Sequence, residues 1–259
     1  MKIVKLGGSI ITHRGVWREI NIDNIKHLAT ELKDPDDQMI LIHGLGSYGR
    51  AYLPIYDYDH INIEQITMAR HIQNNLRNLN DIMVATLKKE GVNIRPFEPE
   101  STFRIENGNI KDFNDKLMTW YLKNGYTPLI YGGTIWDDTD KYTIVSSDEI
   151  VYFFAMHYNV DQILWVTDVD GVYNINGEVI KYFNEKSMED FYDSQYNDMD
   201  LTGGMRSKVV KSMKLLEYGI TSYVINGYKQ DRLKNILNGK DDVCTKFVRA
   251  SSMKELVNV

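Results

Sequence analysis

Four segments rich in glycine or aspartate each follow a short apolar run: KLGGS at 5–9, HGLGSYG at 43–49, YGGT at 131–134 and TDVDG at 167–171. Glycine allows backbone N–H groups to approach an anion closely, and the N-terminus of a following helix adds partial positive charge. Each segment taken singly is typical of an ordinary turn. In open α/β sheets, however, ligands bind beyond the carboxyl ends of the strands. Several such segments at one edge therefore predict a phosphate-binding crevice.

Known phosphate-binding patterns narrow this prediction. The phosphate loop that ends in Lys-Ser or Lys-Thr is absent from the sequence, and so are the loops of protein kinases. Residues 44–49 match G-x-G-x-x-G after a predicted strand, which is typical of a dinucleotide-binding unit. Since no acidic residue ends a second strand at the expected distance, a dinucleotide site is the weaker alternative.

The crevice must be built by the elements that carry these segments, and the apolar periodicity predicts alternating strands and helices. Strands are predicted at 2–6, 39–43, 93–99, 127–131, 162–167, 221–225 and 243–249, and helices at 22–33, 64–89, 114–124, 205–217 and 230–238. This alternation predicts an α/β fold with a mainly parallel sheet.

Two local signals refine the element boundaries. Asn107 and Gly108 stand between short runs and predict a hairpin, and residues 134–145 predict a second one. Ser146 and Glu149 precede an apolar run with the spacing of a capping box, which predicts the start of a helix.

Composition excludes several classes of protein. The chain has 259 residues, of which 43% are hydrophobic and 25% charged, as in ordinary globular domains. Its net charge of −6 argues against general affinity for nucleic acid. No apolar run approaches the about 18 residues of a membrane span. One cysteine, Cys244, leaves no intramolecular disulfide, and the lack of a signal-peptide cleavage site predicts a cytoplasmic protein.

Six motifs together resemble the amino acid kinase superfamily: KLGGSIIT at 5–12, HGLGSYG at 43–49, SSDEI at 146–150, TDVDGVY at 167–173, LTGGMRSK at 201–208 and INGY at 225–228. Within it, the chain most resembles the isopentenyl phosphate kinases, which are related to fosfomycin kinases. The resemblance covers nearly the whole chain. It implies an αβα sandwich with a mainly parallel central sheet, an N-terminal acceptor lobe at about 1–160 and a C-terminal nucleotide lobe at about 161–259. It also implies a homodimer.

The resemblance further implies direct transfer of the γ-phosphoryl group of ATP to a small anionic acceptor. Its catalytic residues would be Lys5, Lys208, Asp148 and Arg14. Nucleotide binding would fall to Lys208 and to Gly7, Gly8, Ser9, Thr167, Asp168, Gly171, Gly203 and Gly204. Acceptor binding would fall to Gly44, Leu45, Gly46, Ser47, Gly49, Arg50 and Gly132. Mg²⁺ would arrive with the nucleotide, so the protein itself needs no metal ligands.

The residue types suit these roles, because phosphoryl transfer depends on positioning and charge compensation more than on covalent chemistry by the protein. Lys5 lies inside an apolar pentapeptide that leads into two glycines, which argues against an ordinary surface lysine. Lys208 is more ambiguous. Helical spacing places it with Lys211 and Lys214 on the predicted exposed side, opposite the apolar positions Met205, Val209, Met213 and Leu216.

Four positions depart from the family pattern: Arg50 replaces a histidine, Leu45 a glycine, Arg14 a third lysine and Gly133 an aspartate. Arginine keeps its proton at every working pH, so Arg50 cannot act as a general base. An alcohol acceptor would normally need one, whereas a phosphate, phosphonate or carboxylate is already ionised. We therefore expect an acceptor that is anionic before the reaction, held by the arginine fork.

Several alternatives stay open at this stage. The protein could phosphorylate a carboxylate, carbamate or phosphonate, or it could be a nucleotide-binding regulatory protein that has lost turnover. Arg50 could instead be a rim residue, and His13 a substitute imidazole or a solvated loop residue. His43 is expected to be a structural residue at a strand end.

Two features concern the acceptor's organic part. An isoprenoid tail would need an apolar tunnel, and Met68, Ile72 and Leu76 form a stripe that could line one or could belong to the core. The segment 48–58 is unusually rich in tyrosine, with Tyr48, Tyr52, Tyr56 and Tyr58. It is where a pocket unlike that of the family is expected.

Overall fold

The strands in the described parts of this chain build two sheets. The structure, a computed structural model, describes residues 1–33, 37–50, 52, 62–191 and 204–252. Its strands, in chain order, are β1 (Lys2–Leu6), β2 (Met39–His43), β3 (Ile94–Pro96), β4 (Phe103–Glu106), β5 (Asn109–Phe113), β6 (Thr127–Tyr131), β7 (Gly133–Asp137), β8 (Lys141–Val145), β9 (Gln162–Thr167), β10 (Tyr182–Phe183), β11 (Thr221–Asn226) and β12 (Thr245–Phe247). All the predicted strands are confirmed, the third and the last of them over shorter spans.

The helices lie in the segments between these strands. In chain order they are α1 (Gly8–Ile11), α2 (Ile22–Glu31), α3 (Gly46–Gly49), α4 (Ile63–Lys89), α5 (Pro99–Thr102), α6 (Asp115–Lys123), α7 (Ser147–His157), α8 (Met205–Leu216) and α9 (Arg232–Leu237). The helices predicted from periodicity are confirmed. The helices α1, α3 and α5 were not predicted, because a single turn is too short to show an apolar period.

The larger sheet has eight strands in the order β10-β12-β11-β9-β1-β2-β6-β3. Its neighbouring strands pair in parallel, except for the antiparallel pair β11 and β12. Strand β1 lies between β2 and β9, with Leu6 opposite His43 and Val166. The glycine-rich segments that follow β1, β2, β6 and β9 therefore emerge at one edge of the sheet.

The smaller sheet has the strand order β5-β4-β7-β8 and contains both predicted hairpins. Asn107 and Gly108 form the first turn with φ values of +52° and +78°, the left-handed region that Asn and Gly tolerate best. The buried Asp137 carboxylate accepts hydrogen bonds from the backbone N–H groups of Asn107 at 3.1 Å and Gly108 at 2.6 Å. This carboxylate joins the turn to the second hairpin.

Helices cover both faces of the large sheet, as an αβα sandwich requires. Alternation along the strands divides the buried apolar side chains between two clusters. Val4 and Leu6 pack with α2, α4 and α9, whereas Ile3 packs with α6, α7 and α8. The predicted sandwich is confirmed, and Lys5 lies on the same face as Ile3.

The apolar stripe of α4 belongs largely to the first of these clusters. Ile72 and Leu76 are buried in that core and Met68 packs against it. These contacts favour the core alternative for the stripe over a tail tunnel. No helix in the described parts of the chain is long and apolar enough to cross a membrane.

Candidate active site

The Asp148 carboxylate lies between two lysine side chains at the carboxyl end of β1. Its Oδ1 atom is 3.1 Å from Lys5 Nζ, and its Oδ2 atom is 3.0 Å from Lys208 Nζ. Asp148 is fully buried, and Lys5 and Lys208 are only 5% and 9% exposed. Two cationic groups thus meet in one buried crevice, where electrostatic interactions with an anionic ligand are stronger than in water.

Three separate elements supply these side chains. Lys5 is the penultimate residue of β1 and extends toward α7, and Lys208 lies in the first turn of α8. Asp148 lies in the first turn of α7, which begins where the capping signature predicts. Ser146 Oγ accepts the Glu149 N–H at 3.1 Å, so this cap fixes where Asp148 enters the site.

Lys208 lies on the buried face of α8. The prediction that it shares the exposed side with Lys211 and Lys214 is therefore wrong. Its Nζ lies 5.8 Å from the centre of the buried Trp165 ring, a geometry that favours a cation over an aromatic face. Apolar periodicity treats every lysine as solvent-exposed, and it cannot see that Asp148, 60 positions earlier, supplies a buried counter-ion.

The charge on Asp148 is maintained by its neighbours. Burial alone would raise the pKa of this carboxyl, but Lys208 and Lys5 outweigh burial and hold the pKa below its usual range. Asp148 is therefore ionised at neutral pH. It can hold the two lysines in place without itself exchanging a proton.

The glycine segments after β1 and β2 pack backbone against backbone. A Cβ atom added to Gly8 would lie 2.6 Å from the N and Cα atoms of Gly46. One added to Gly44 would lie 2.9 Å from Gly8 N and 3.6 Å from Lys5 Nζ. Gly46 also has a φ of +53° and faces the Thr12 side chain. Only glycine allows these two loops to meet beside the lysine.

Two other glycines allow close approaches at the same edge. A Cβ atom on Gly7 would lie 2.9 Å from the Val166 carbonyl oxygen, which accepts the Gly7 N–H. A Cβ atom on Gly132 would lie 2.6 Å from Ser147 N and from Val145 O. Gly132 therefore allows the end of β6 to approach the N-terminus of α7, which carries Asp148.

Asp168 connects the β9 segment, which is residues 167–171 after β9, to the β1 segment, which is residues 7–9 after β1. Its Oδ1 atom accepts hydrogen bonds from Ser9 Oγ at 2.9 Å and Thr167 Oγ1 at 3.1 Å, and its Oδ2 atom lies 2.9 Å from Arg14 Nη2. The Arg14 side chain is 62% exposed. The structure thus pairs Arg14 with Asp168 and does not place it in the lysine cluster.

Of the other glycines predicted to bind the nucleotide, Gly171 and Gly204 are described. Gly171 packs against Thr245, and a Cβ atom there would lie 2.5 Å from Thr245 Oγ1. Gly204 is the N-cap residue of α8, and its carbonyl oxygen accepts a 3.4 Å hydrogen bond from Lys208 Nζ. Gly203 lies outside the described residues.

The predicted acceptor segment forms the short helix α3 and its flanks. Leu45 and Tyr48 are buried in the core, so their side chains support the segment from beneath. Ser47 donates its backbone N–H to Thr12 Oγ1 at 2.9 Å. Gly49 lies against Leu45, and Arg50 is exposed at the C-terminal end of α3.

The tyrosine-rich segment is described only in part. Tyr48 is buried, and its ring lies 5.6 Å from the Arg18 guanidinium carbon. The Tyr52 ring contacts Trp17 edge-on, with 5.1 Å between ring centres. Tyr56 and Tyr58 lie outside the described residues, so the pocket expected there stays a prediction.

His43 is a buried neutral residue beneath the acceptor segment. Its Nδ1 atom lies 2.9 Å from the Gly44 carbonyl oxygen, and its ring stacks on Tyr131. Burial lowers the pKa of His43 to about 4. The structural interpretation of this residue agrees with these contacts, and His13 is exposed.

Sequence reasoning missed three residues that shape the site. Thr12 holds the two glycine loops together, Trp165 supports Lys208, and Tyr228 Oη donates to the Ser9 carbonyl oxygen at 2.9 Å. Thr12 and Tyr228 lie within the motifs KLGGSIIT and INGY, so the motifs were a signal for them. No signal in the sequence pointed to Trp165, because its contact with α8 depends on tertiary packing.

The cradle formed by Gly8, Gly44 and Gly46 beside Lys5 and Lys208 fits a chain of phosphate groups. Gly8 and Gly46 are partly exposed, and backbone N–H groups and ammonium groups are donors that phosphate oxygens prefer. Among the residues that the structure describes, no three His, Cys, Asp or Glu side chains cluster closely enough to hold a metal ion. A sandwich with this crevice at the carboxyl edge of its sheet defines a phosphate-handling α/β protein.

Comparison with known proteins gives the family. The profile of the amino acid kinase family matches residues 1–226. The isopentenyl phosphate kinase of Methanocaldococcus jannaschii is 32% identical over an alignment of length 255, and the match covers 93% of this chain and 96% of that protein. That of Methanothermobacter thermautotrophicus is 27% identical, with 93% and 96% coverage. The chain belongs to the amino acid kinase family.

Solved structures give the same fold. An X-ray structure of isopentenyl phosphate kinase superposes with a TM-score of 0.80 at 24% identity and covers 95% of this chain and 99% of that one. The product complex of the Thermoplasma acidophilum isopentenyl phosphate kinase superposes with a TM-score of 0.78 at 22% identity, with 96% and 100% coverage. The likeness extends over the whole length of both kinases.

Proposed function

We propose that this protein is an ATP-dependent kinase that converts isopentenyl phosphate to isopentenyl diphosphate. The observation that carries the proposal is the pairing of Lys5 and Lys208 through buried Asp148, beside a glycine cradle. Full-length similarity to isopentenyl phosphate kinases supports the choice of acceptor.

In the proposed reaction, an oxygen of the acceptor phosphate forms a bond to the γ-phosphorus of ATP. The bond from that phosphorus to the β–γ bridging oxygen breaks, and ADP leaves with the electron pair. Lys5 lies beside Gly44 of the acceptor segment and would contact the group in transfer. Lys208 would neutralise charge on the ATP phosphates, and Asp148 would keep both ammonium groups aimed at the crevice.

No residue has to remove a proton from this acceptor. A phosphate monoester is already ionised at neutral pH, so it needs only to be held in line with the γ-phosphorus. The backbone of Gly46, the hydroxyl of Ser47 and the guanidinium of Arg50 are the groups that we assign to this task, since the Ser47 N–H is already donated to Thr12 Oγ1. Arg50 offers two parallel N–H donors and permanent charge.

ATP would lie along Gly7, Gly8 and Ser9 and extend toward the β9 segment with Thr167, Asp168 and Gly171. We assign Gly204 and Gly203 to the same side, together with Arg14 through Asp168. Mg²⁺ bound to the triphosphate would neutralise negative charge on the β- and γ-oxygens.

An acceptor panel tests the proposal. Purified protein is incubated with ATP, Mg²⁺ and isopentenyl phosphate, a phosphonate, a carboxylate such as glutamate, or no acceptor, while ADP release and the ³¹P spectrum are followed. We expect a new diphosphate resonance only with isopentenyl phosphate. ATP binding without ADP release for any acceptor would favour a regulatory protein and contradict the proposal.

Arg50 supports one alternative acceptor class. The two parallel N–H donors of its guanidinium can hold a phosphonate or a carboxylate as well as a phosphate. A kinase for such an acceptor is therefore the second candidate. Preferential turnover of the phosphonate or carboxylate in the same panel would establish it.

We further propose that the protein is a cytoplasmic homodimer with an acceptor lobe at about 1–160 and a nucleotide lobe at about 161–259. The strand order supports the division, since β9 to β12 lie on one side of β1, and β2, β3 and β6 on the other. Light scattering after size exclusion should give twice the 30.1 kDa chain mass.

A further inference from the structure

The buried carboxylate of Glu31 caps a helix that is 200 positions later in the chain. Glu31 is the last residue of α2 and is only 5% exposed. Its Oε1 atom accepts the backbone N–H of Asp231 and its Oε2 atom that of Lys234, both at 3.0 Å. These N–H groups lie at the start of α9, where a helix has no internal acceptors for them. His27 Nε2 lies 2.9 Å from Oε1 on the other side.

The helix that Glu31 caps follows directly on the INGY segment. The loop at residues 226–231 begins in this segment and leads into α9. It makes hydrogen bonds with two parts of the proposed nucleotide site. Asn226 Nδ2 donates to Asp170 Oδ1 at 3.0 Å, and Tyr228 Oη donates to the Ser9 carbonyl oxygen at 2.9 Å. Ser9 belongs to the β1 segment, and Asp170 to the β9 segment.

The first residue of α9 strengthens this connection. Arg232 Nη1 donates to Asp170 Oδ1 at 2.6 Å, and its side chain is 11% exposed. The position of α9 therefore determines where Arg232 and Tyr228 act. Neither contact survives a shift of the helix by an ångström or two, because hydrogen bonds weaken steeply with distance and angle.

The backbone at the start of α9 also needs the cap. Asp231 has a φ of +60°, the left-handed region in which a non-glycine residue is disfavoured by about 1 kcal/mol. The hydrogen bond from its N–H to Glu31 holds this residue there. Without the carboxylate, the loop is free to relax toward a more ordinary conformation.

We infer that Glu31 is a positioning residue for the nucleotide: by capping α9 it fixes the 226–231 loop, which holds Tyr228 against Ser9 of the β1 segment and Asp170 against Asn226 and Arg232. The inference rests on the proposed function, because that function assigns this edge to ATP. Glu31 contacts no proposed substrate position itself, and its effect on ATP passes through the loop.

The variant Glu31→Gln tests the inference, because each carboxylate oxygen accepts one N–H group and the amide replaces one of these oxygens with an NH₂ donor, which opposes that N–H. We expect the KM for ATP to rise about tenfold, which corresponds to the loss of one charge-assisted hydrogen bond. The KM for isopentenyl phosphate should change less than about twofold, because the acceptor segment lies outside the capped loop. Asp23→Asn is the matched control, since its side chain is exposed on the same helix, and it should change neither KM.

A second variant tests the route of the effect. Tyr228→Phe removes the contact with Ser9 and should also raise the KM for ATP selectively. Because both changes act through one loop, the double variant should raise that KM by less than the product of the two single effects. Multiplicative effects would show that Glu31 does not act through Tyr228 and would overturn the route.

Calorimetric titration with ATP, without acceptor, separates this inference from the proposed function. If wild-type protein binds ATP but does not turn over isopentenyl phosphate, the choice of acceptor is wrong, and the affinity of Glu31→Gln for ATP still decides the role of Glu31. Unchanged affinity for ATP in Glu31→Gln, or an equal rise of both KM values, would make Glu31 a purely structural residue. Wild-type protein that binds no ATP would overturn both proposals.

Discussion

Lys5 Nζ lies 3.1 Å from Asp148 Oδ1, while the other oxygen of the same carboxylate holds Lys208. The carboxylate therefore sets the distance between two ammonium groups that come from different halves of the chain. Neither lysine could be buried at this edge without it, since an isolated buried charge is costly. The proposed kinase activity depends on this arrangement.

The variant Lys5→Ala should abolish phosphoryl transfer and leave the fold intact. Asp148 keeps Lys208 as its partner, so no buried carboxylate is left without a cation. We expect kcat to fall about 1,000-fold, because a group that stabilises charge in the transition state is removed. Initial rates of ADP release and the circular dichroism spectrum check the two parts of the prediction. Lys26→Ala, the same charge change at an exposed site, is the control. Wild-type turnover in Lys5→Ala would remove Lys5 from the mechanism.

The sequence predicted those parts of the fold that depend on local patterns. Strands such as 162–167 are short continuous apolar runs, and helices such as α4 show a clear helical period. The Asn107-Gly108 turn and the Ser146 cap have local chemical signatures. The two-residue strand β10 has neither, and it exists only because β12 pairs with it. It was not predicted.

The candidate site likewise has some features that local sequence patterns predict and others that only tertiary packing creates. The glycine clusters at the strand ends predicted where a phosphate crevice lies, because the carboxyl ends of parallel strands share one edge. The burial of Lys208 and the pairing of Arg14 with Asp168 depend on residues far away in the chain. Such pairs follow from tertiary packing, which apolar periodicity does not contain.

The variant Gly8→Ala should disrupt the site more than the fold. The added methyl group would meet the Gly46 backbone at 2.6 Å, so the two glycine loops must separate. A displacement of that size near the reacting groups should lower kcat/KM about 100-fold. Steady-state kinetics and urea unfolding measure the two effects.

Gly219→Ala is the matched control for this variant. Gly219 has a φ of +78° and no atom within 4 Å of an added Cβ, so the change costs about 1 kcal/mol of stability from backbone strain alone. Its kcat/KM should equal that of wild-type protein. If Gly8→Ala also kept its activity, the close approach of the two loops would have no role in transfer.

The variant Arg50→His tests which acceptor the segment after β2 binds. If isopentenyl phosphate is the substrate, activity should survive or rise, because the family carries histidine at this position. The variant should gain a pH dependence. An imidazole loses its charge as pH rises through about 6.5, so the KM for the acceptor should increase above that pH.

Wild-type protein gives the reference for that profile, because arginine keeps its charge throughout and its KM should not change for this reason. Measurement of the KM for isopentenyl phosphate between pH 5.5 and 8 compares the two proteins. If wild-type protein phosphorylates a different acceptor and Arg50→His loses that activity, Arg50 is the residue that defines specificity. This result would favour the phosphonate or carboxylate candidate.

His43 should make the protein less stable in mild acid. Its pKa is about 4 in the folded protein and about 6.5 in an unfolded chain, because burial disfavours the imidazolium. Between these values the unfolded state binds the extra proton, so the free energy of unfolding falls as pH drops below about 6.5. The loss at pH 5 should be about 2 kcal/mol relative to pH 7. Asp148 and Asp137 lower the free energy of unfolding only in stronger acid, because their carboxyl pKa values in the folded protein lie below the usual range. The loss caused by His43 therefore occurs at a higher pH than theirs. Urea unfolding at both pH values measures the loss, and the ¹H NMR titration of the imidazoles assigns it. His43 should stay neutral at pH 5, and a His43 resonance that titrates near pH 6.5 would contradict the prediction.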